Sequence, residues 1–166
     1  MTDWEQIRRE HGPAVWAVAY RILAHDEDAH DCLQEVFLEA IRSPQSAEVR
    51  NWGGFLRWLA TRRAIDGLRK RRRHATQAMS AEPSGPEPVD QVELNETIEI
   101  IRRELARLPE SQAAAFWMSS AEQMTYEQIA EQMQITPNAV GMLIHRARQQ
   151  LKLSLRPLVE GEEPTR

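Results

Sequence analysis

Residues Thr125 to Leu151 read TYEQIAEQMQITPNAVGMLIHRARQQL, and this stretch decides the fold of the C-terminal part of the chain. Thr125 and Gln128 have the spacing of a capping box, in which each side chain satisfies a backbone N–H at a helix start. Thr136 before Pro137 marks a second helix start, because proline lacks an N–H that the first helical position leaves unused. Two short helices around residues 134–136 predict a helix-turn-helix.

The second of these helices has two contrasting faces. Its apolar positions, which we expect to be buried, fall within about 60° of one another on a helical wheel; they are Val140, Ile144, Ala147 and Leu151. The opposite face suits contacts with base edges and phosphates in a major groove, and it carries Asn138, Met142, His145 and Gln149, flanked by Gly141, Arg146 and Arg148. The alternative is an ordinary amphipathic helix of a bundle.

The composition fits a folded protein with one local polyanion contact. The 166 residues are 42% apolar and 28% charged, which is enough for one medium domain or two small ones. Residues 1–49 carry ten acidic and four basic side chains, whereas residues 50–73 carry nine basic side chains and one acid. This basic block on an otherwise acidic chain predicts binding to nucleic acid.

Two helical lobes and a linker make up the expected organisation. Residues 76–90 combine Pro, Gly, Ser and acids without apolar periodicity and are interpreted as a flexible Pro-rich acidic linker. Lobe one covers 1–75, lobe two covers 91–157, and residues 158–166 are expected to form a disordered tail. Both lobes show apolar residues at 3–4 spacing. The predicted fold class is therefore all-α, with two small helical domains.

Lobe one is expected to contain three helical regions. Gly12-Pro13 should kink or divide the first. A second helix, capped at residues 25–28, runs to about Arg42, and a third runs from about Trp52 to Arg73. The buried stripe predicted for the second helix consists of Ala29, Leu33, Val36, Phe37, Ala40 and Ile41.

Aromatic residues are interleaved with the basic block of the third helix. Aromatic rings beside a cationic track can stack on single-stranded bases. The candidates are Trp52, Phe55 and Trp58, with Arg57, Arg62, Arg63, Arg69 and Lys70 as phosphate contacts. The alternative is a core aromatic cluster beside a solvated helix end, and it applies most to Phe55, which shares a face with Leu59.

Catalysis, metals and cofactors find little support in the sequence. No Asp or His arrangement accompanies Cys32, so no catalytic residue is predicted. His25, His30 and Cys32 do not share a helical face, so no metal site is predicted. Phosphate-binding glycine motifs are absent, and no cofactor is expected. A single cysteine, no apolar run of membrane length and a charged N-terminus lead us to expect a cytoplasmic protein without membrane insertion.

Three blocks of the chain resemble extracytoplasmic-function sigma factors of bacterial RNA polymerase. They are DAHDCLQEVFLEA (28–40), FLRWLATRRAIDGLRKRRR (55–73) and LARLPESQAAAFWMSSAEQMTYEQIAEQMQITPNAVGMLIHRARQQL (105–151). The resemblance implies that lobe one is sigma region 2, lobe two is sigma region 4, and the protein directs promoter-specific initiation without catalysis of its own. It also implies three partners: core RNA polymerase, promoter DNA and an anti-sigma factor.

The resemblance assigns roles to residues of each block. Polymerase binding is expected from Asp28, Asp31, Gln34 and Glu35, and minus-ten recognition and melting from the third helix. Minus-thirty-five recognition is expected from Thr125, Tyr126, Pro137, Asn138, Met142, His145, Arg146 and Arg148. Two departures stand out: Arg62 replaces a frequent Asn, and Gly141-Met142-Leu143 replaces a basic Lys-Ser-Arg. The alternative function is a helix-turn-helix regulator that does not bind polymerase.

Overall fold

The structure, a computed structural model, describes the backbone of residues 2–77 and 89–160 and the side chains of residues 2–75 and 96–156. All regular elements in these ranges are helical, which confirms the predicted fold class. The α-helices are α1 (Trp4–Leu23), α2 (Asp26–Arg42), α3 (Trp52–Gln77), α4 (Val89–Arg107), α5 (Glu110–Ser120), α6 (Tyr126–Met133) and α7 (Pro137–Glu160), and a 3₁₀ helix spans Pro44–Glu48.

Lobe one is a bundle of α1, α2 and α3. Its core comes from all three helices and includes Val18, Ile22, Val36, Leu56, Leu59 and Ile65, which are almost completely buried. Helix α1 is continuous through Pro13, so the predicted division does not occur. Pro13 is exposed and removes one backbone hydrogen bond from α1. Packing of the apolar face of α1 on both sides of Pro13 stabilises the helix by more than this loss costs.

Helix α2 begins and ends as the sequence predicts. His25 caps it by accepting a hydrogen bond from the Asp28 N–H, and Arg42 is its last residue. The buried face differs in detail, because Cys32 is buried whereas Ile41 is 49% exposed and Leu33 is half-buried. Ile41 lies about 140° around the helix from Val36, which places it outside the stripe that faces the core.

Lobe two contains α4 to α7, with α5, α6 and α7 packed around one core. Leu105, Met118, Ile129, Val140 and Ile144 are its fully buried centre. The turn between α6 and α7 passes through Gln134, whose φ of 55° is left-handed. The predicted helix-turn-helix is confirmed, but its last helix is long rather than short. Strong helix formers follow Arg146, and the partly buried Leu155 extends the apolar face.

The two lobes contact each other, which the sequence does not predict. Helix α3 of lobe one packs against α4, α5 and α6 of lobe two. The predicted linker overlaps helix at both ends, since α3 reaches Gln77 and α4 begins at Val89; residues 78–88 lie outside the described residues. Helix α7 reaches Glu160, so it occupies the start of the expected tail, and residues 161–166 also lie outside the described part.

Candidate nucleic-acid interface

The helix-turn-helix presents α7 on the surface of lobe two. The capping box holds the start of α6, because the Thr125 N–H donates to Gln128 Oε1 at 2.9 Å and the Gln128 N–H donates to Thr125 Oγ1 at 3.2 Å. Thr136 Oγ1 accepts from the Ala139 N–H at 3.1 Å and starts α7. Both caps satisfy backbone N–H groups that a helix start otherwise leaves without a partner.

The predicted DNA-facing residues of lobe two lie together at the surface. Asn138, Met142, His145, Arg146 and Arg148 on α7 are exposed, and so are Thr125, Tyr126 and Pro137 at the helix starts. The stripe of Val140, Ile144, Ala147 and Leu151 is buried as predicted. Helix α7 therefore has one face in the core and one polar face in solvent.

Gly141 on α7 lies beside the ring of Tyr126. A Cβ atom at this position would lie 3.4 Å from Tyr126 Cε2. A Cβ atom at this distance would make an ordinary van der Waals contact with the ring, so the site also accommodates a small side chain. Gly141 is one of the residues that depart from the family pattern, and in the structure it packs beside Tyr126.

Aromatic rings form a continuous row from α1 along α3. Trp4 meets Trp52 edge-on with centroids 5.1 Å apart, and Trp52 and Trp58 each lie 6.0 Å from Phe55. Phe55 is only 4% exposed, so its expected role in stacking on a base does not fit this arrangement, and the core interpretation does. Trp52 and Trp58 are half-buried and retain accessible ring surface.

Most of the predicted phosphate contacts on α3 have partners within the chain. Arg62 lies 4.9 Å from the Trp58 ring centroid and contacts Glu110 Oε1 at 2.9 Å. Lys70 pairs with Asp66 at 3.1 Å. The basic block also includes the half-buried Arg57, and several of its cations are thus paired within the chain.

Arg63 and Arg71 join the basic face of α3 to the acidic face of α2. Arg63 Nε donates to Glu39 Oε2 at 2.7 Å, and this hydrogen bond raises the pKa of Arg63 above its ordinary value. A second nitrogen of Arg63 lies 3.5 Å from Glu35 Oε2. Arg71 pairs with Asp28 and donates to the Leu23 carbonyl at 2.9 Å.

The acidic face of α2 is therefore divided into paired and exposed residues. Asp28 and Glu35 contact arginines of α3, although the Glu35 side chain stays 57% exposed, whereas Asp31 and Gln34 are exposed and have no ion pair with α3 among the described residues. The expected role of all four residues in polymerase binding stays a prediction, and two of them, Asp28 and Glu35, also supply counter-charges to arginines of α3.

A groove between α1 and α2 was missed by the sequence reasoning. It has a volume of about 890 Å³, and its lining includes Gln34, Leu38, Ile41, Arg8 and Arg9. Leu38 and Ile41 are each 49% exposed, an uncommon position for large apolar side chains grouped together. Leu38 lies outside the apolar stripe predicted for α2. A large apolar residue outside that stripe was the feature of the sequence that could have indicated the groove.

Cys32 is a free and buried thiol on α2. Burial raises the pKa of the Cys32 thiol to about 12, with a smaller contribution from Glu35, so the thiol stays protonated. Among the residues whose placement is described, no three His, Cys, Asp or Glu side chains are grouped as metal ligands. In the same ranges no helix has the length and apolarity of a membrane span.

An acidic helix, a basic aromatic helix and a capped helix-turn-helix, in this order, define a two-lobed helical DNA-binding protein. Residues 7–74 match the family model "Sigma-70 region 2", and residues 98–151 match "Sigma-70, region 4". The chain belongs to the sigma-70 family, in its extracytoplasmic-function group.

Two relatives agree with this assignment, and one solved structure shares the fold. The chain is 28% identical over 157 residues to the ECF RNA polymerase sigma factor SigE of Mycolicibacterium smegmatis, covering 92% of this chain and 61% of that protein. It is 26% identical over 159 residues to SigW of Bacillus subtilis, covering 87% of this chain and 84% of SigW. The sigma factor RpoE, solved with the anti-sigma factor NepR from Bartonella quintana, shares the fold with a TM-score of 0.55, 19% identity, and coverage of 94% of this chain and 98% of RpoE.

Proposed function

We propose that the chain binds core RNA polymerase and directs it to a specific set of promoters. The observation that carries this proposal is the presence of both sigma regions in order, one with the aromatic and basic helix α3 and the other with the helix-turn-helix. The chain supplies recognition, while phosphodiester bond formation stays with the polymerase. Its place of action is then the cytoplasm, where transcription starts.

Polymerase docking uses the exposed part of α2 and the adjoining groove. Asp31 and Gln34 supply polar contacts, and Leu38 and Ile41 supply apolar surface beside them. Asp28 and Glu35 act indirectly, by holding α2 against Arg71 and Arg63 of α3. Polar groups around an apolar centre are typical of specific protein interfaces.

Promoter recognition is divided between the lobes. Trp52 and Trp58 stack on unpaired bases of the minus-ten element, and the arginines of α3 hold its phosphates. Helix α7 reads the minus-thirty-five element as duplex through Asn138 and His145. An anti-sigma factor regulates the chain. The solved structure of RpoE contains such a partner, the anti-sigma factor NepR.

Run-off transcription with purified core polymerase tests the proposal. Genomic fragments from the source organism should yield discrete transcripts only when both the chain and the core enzyme are present. The alternative function, a helix-turn-helix regulator without polymerase binding, predicts sequence-specific DNA binding but no transcripts. Specific DNA binding without core association would therefore reject the sigma assignment.

Replacing Trp58 by Ala should impair strand opening more than closed-complex formation. Stacking contributes about 1–3 kcal/mol per base and is available only to unpaired bases. Permanganate reactivity of the minus-ten thymines should fall about tenfold, the effect of about 1.4 kcal/mol, while duplex promoter binding changes little.

Trp16→Ala is the matched control for this prediction. Trp16 is half-buried, stacks on Tyr20 at 4.9 Å and donates from Nε1 to His30 Nδ1 of α2 at 3.3 Å. The Trp16→Ala substitution removes an indole ring, as Trp58→Ala does, but leaves the proposed strand-binding face of α3 unchanged. Equal permanganate losses in both variants would mean that Trp58 serves only the stability of lobe one.

A further inference from the structure

One large apolar side chain interrupts the polar face of helix α7. Met142 is 50% exposed, whereas the next residue, Leu143, is partly buried and packs against the core of lobe two. Single exposed apolar side chains are common on protein surfaces, so exposure by itself assigns no function to Met142. The position of Met142 among its neighbours on α7 is what distinguishes it.

Met142 lies within the stripe of side chains that α7 presents to DNA in the proposed function. At about 100° per residue, Asn138 and Gln149 lie within about 40° of Met142 on the helical wheel. Arg146 and Arg148 are about 160° apart and flank this stripe on its two sides. All five side chains are exposed. An apolar side chain is thus placed between two cations, beside residues suited to base edges.

The two arginines determine what Met142 meets when α7 enters a major groove. Cations on opposite sides of the helix suit the phosphates on the two sides of the groove, and the stripe between them then faces the base edges. Most groups on those edges are hydrogen-bond donors or acceptors, whereas the 5-methyl group of thymine is apolar. A methionine side chain has no hydrogen-bond donor, but it packs well against a methyl group.

We propose that Met142 is a specificity-determining residue that recognises the 5-methyl group of thymine in duplex DNA. This inference rests on the proposed function, because it names a chemical group through which α7 reads the minus-thirty-five element. Asn138, His145 and Gln149 read hydrogen-bonding groups, and Met142 adds a contact that depends on apolar surface alone. Burial of the methyl group removes apolar surface of both partners from water, which favours thymine over a base without that group.

Helix α7 fixes the backbone at Met142 while the side chain itself stays adjustable. Val140 and Ile144, two residues before and two residues after Met142, are almost completely buried in the core of lobe two. They hold this turn of the helix against the lobe. The side chain of methionine is unbranched and has three rotatable bonds, so the thioether can move to the methyl group of a base.

Replacement of thymine by deoxyuridine tests the proposal, because it removes the 5-methyl group and retains the hydrogen-bonding groups of the base. The full chain, alone and with core RNA polymerase, first enriches duplexes from a random-sequence library. Each thymine of the most enriched duplex is then replaced by deoxyuridine, one at a time, and competition binding measures the affinity. The parent protein should lose about fourfold in affinity at one or two positions, the effect of about 0.8 kcal/mol for one buried methyl group.

Three variants show whether this preference depends on the Met142 side chain. Met142→Ala should bind the thymine and deoxyuridine duplexes equally, while Met142→Leu retains apolar surface and should keep a preference of at least about twofold. Ile101→Ala is the matched control, because Ile101 is an exposed apolar residue on α4, outside the proposed DNA-binding surface, and it should keep the full preference. Alanine and leucine are strong helix formers, and circular dichroism checks that helicity is retained.

Four outcomes would overturn the proposal. They are equal affinity of the parent for thymine and deoxyuridine at every position, an undiminished preference in Met142→Ala, loss of the preference in Ile101→Ala as well, and failure to enrich any duplex with or without polymerase. The proposed function fails separately, through absence of run-off transcripts. A thymine preference that depends on Met142 but is accompanied by no transcripts supports the role of Met142 and rejects the sigma assignment.

Discussion

A chain carrying Asp31→Lys and Gln34→Lys should lose at least about 100-fold in affinity for core RNA polymerase, a change of about 2.7 kcal/mol. Both residues are exposed on α2 beside the groove with Leu38 and Ile41. Two lysines at these positions repel a basic partner surface and replace contacts at the centre of the proposed interface. Titration of labelled core enzyme measures the loss.

The structure explains why Glu35 is a poorer position for this experiment. Glu35 pairs with Arg63, so a lysine there would place two cations side by side where α2 meets α3 and remove a contact between these helices. Glu27→Lys is the control, because Glu27 is exposed in the first turn of the same helix, outside the proposed contact. Comparable losses for the control and the double variant would indicate a general charge effect and contradict the assignment.

Features that depend on neighbours in the chain were predictable from the sequence. The capping box at Thr125 and Gln128, the cap at Thr136 and the buried stripe of α7 follow from side chains a few residues apart. The start and end of α2 also follow from local residues. Helix caps and 3.6-residue periodicity are local physics, and for this reason the helix-turn-helix could be derived.

Features that depend on distant residues were not predictable in the same way. Periodicity gives no indication that Arg69 would cap α4 or that Arg102 would cap α1, because those partners are separated by 37 and 80 residues. The composition of the basic block predicts a surface that binds nucleic acid. In the fold, however, its arginines pair with three carboxylates, those of Glu35, Glu39 and Glu110. A charge count records the cations but does not record which of them the folded chain already neutralises.

The aromatic residues of α3 show the same limit within a single helix. Phe55, Trp52 and Trp58 are close in sequence, and all three suit base stacking by chemistry. Packing separates them: Phe55 lies in the core, while the two tryptophans remain half-buried at its edge. Chemistry identifies candidates for a nucleic-acid surface, and only the tertiary arrangement determines which rings a base can reach.

Minus-thirty-five recognition should separate into base-specific and phosphate contacts along α7. Gly141, Met142 and Leu143 offer no bidentate hydrogen-bonding side chain, so discrimination by hydrogen bonds falls to the exposed Asn138, His145 or Gln149. Asn138→Ala or His145→Ala should relax preference at one or two base pairs by about 1–3 kcal/mol. Competition binding with duplexes mutated one pair at a time measures this change.

Arg148→Ala is the contrasting variant in this experiment. Arg148 is exposed and charged, and a phosphate contact carries no sequence information. Its loss should weaken all duplexes alike and reduce the slope of log affinity against log salt by about one. If Arg148→Ala changed the preferred sequence while Asn138→Ala and His145→Ala left it unchanged, α7 would have to enter the groove in a different orientation. The buried stripe of Val140, Ile144, Ala147 and Leu151 would then fix the helix in lobe two without fixing its orientation on DNA.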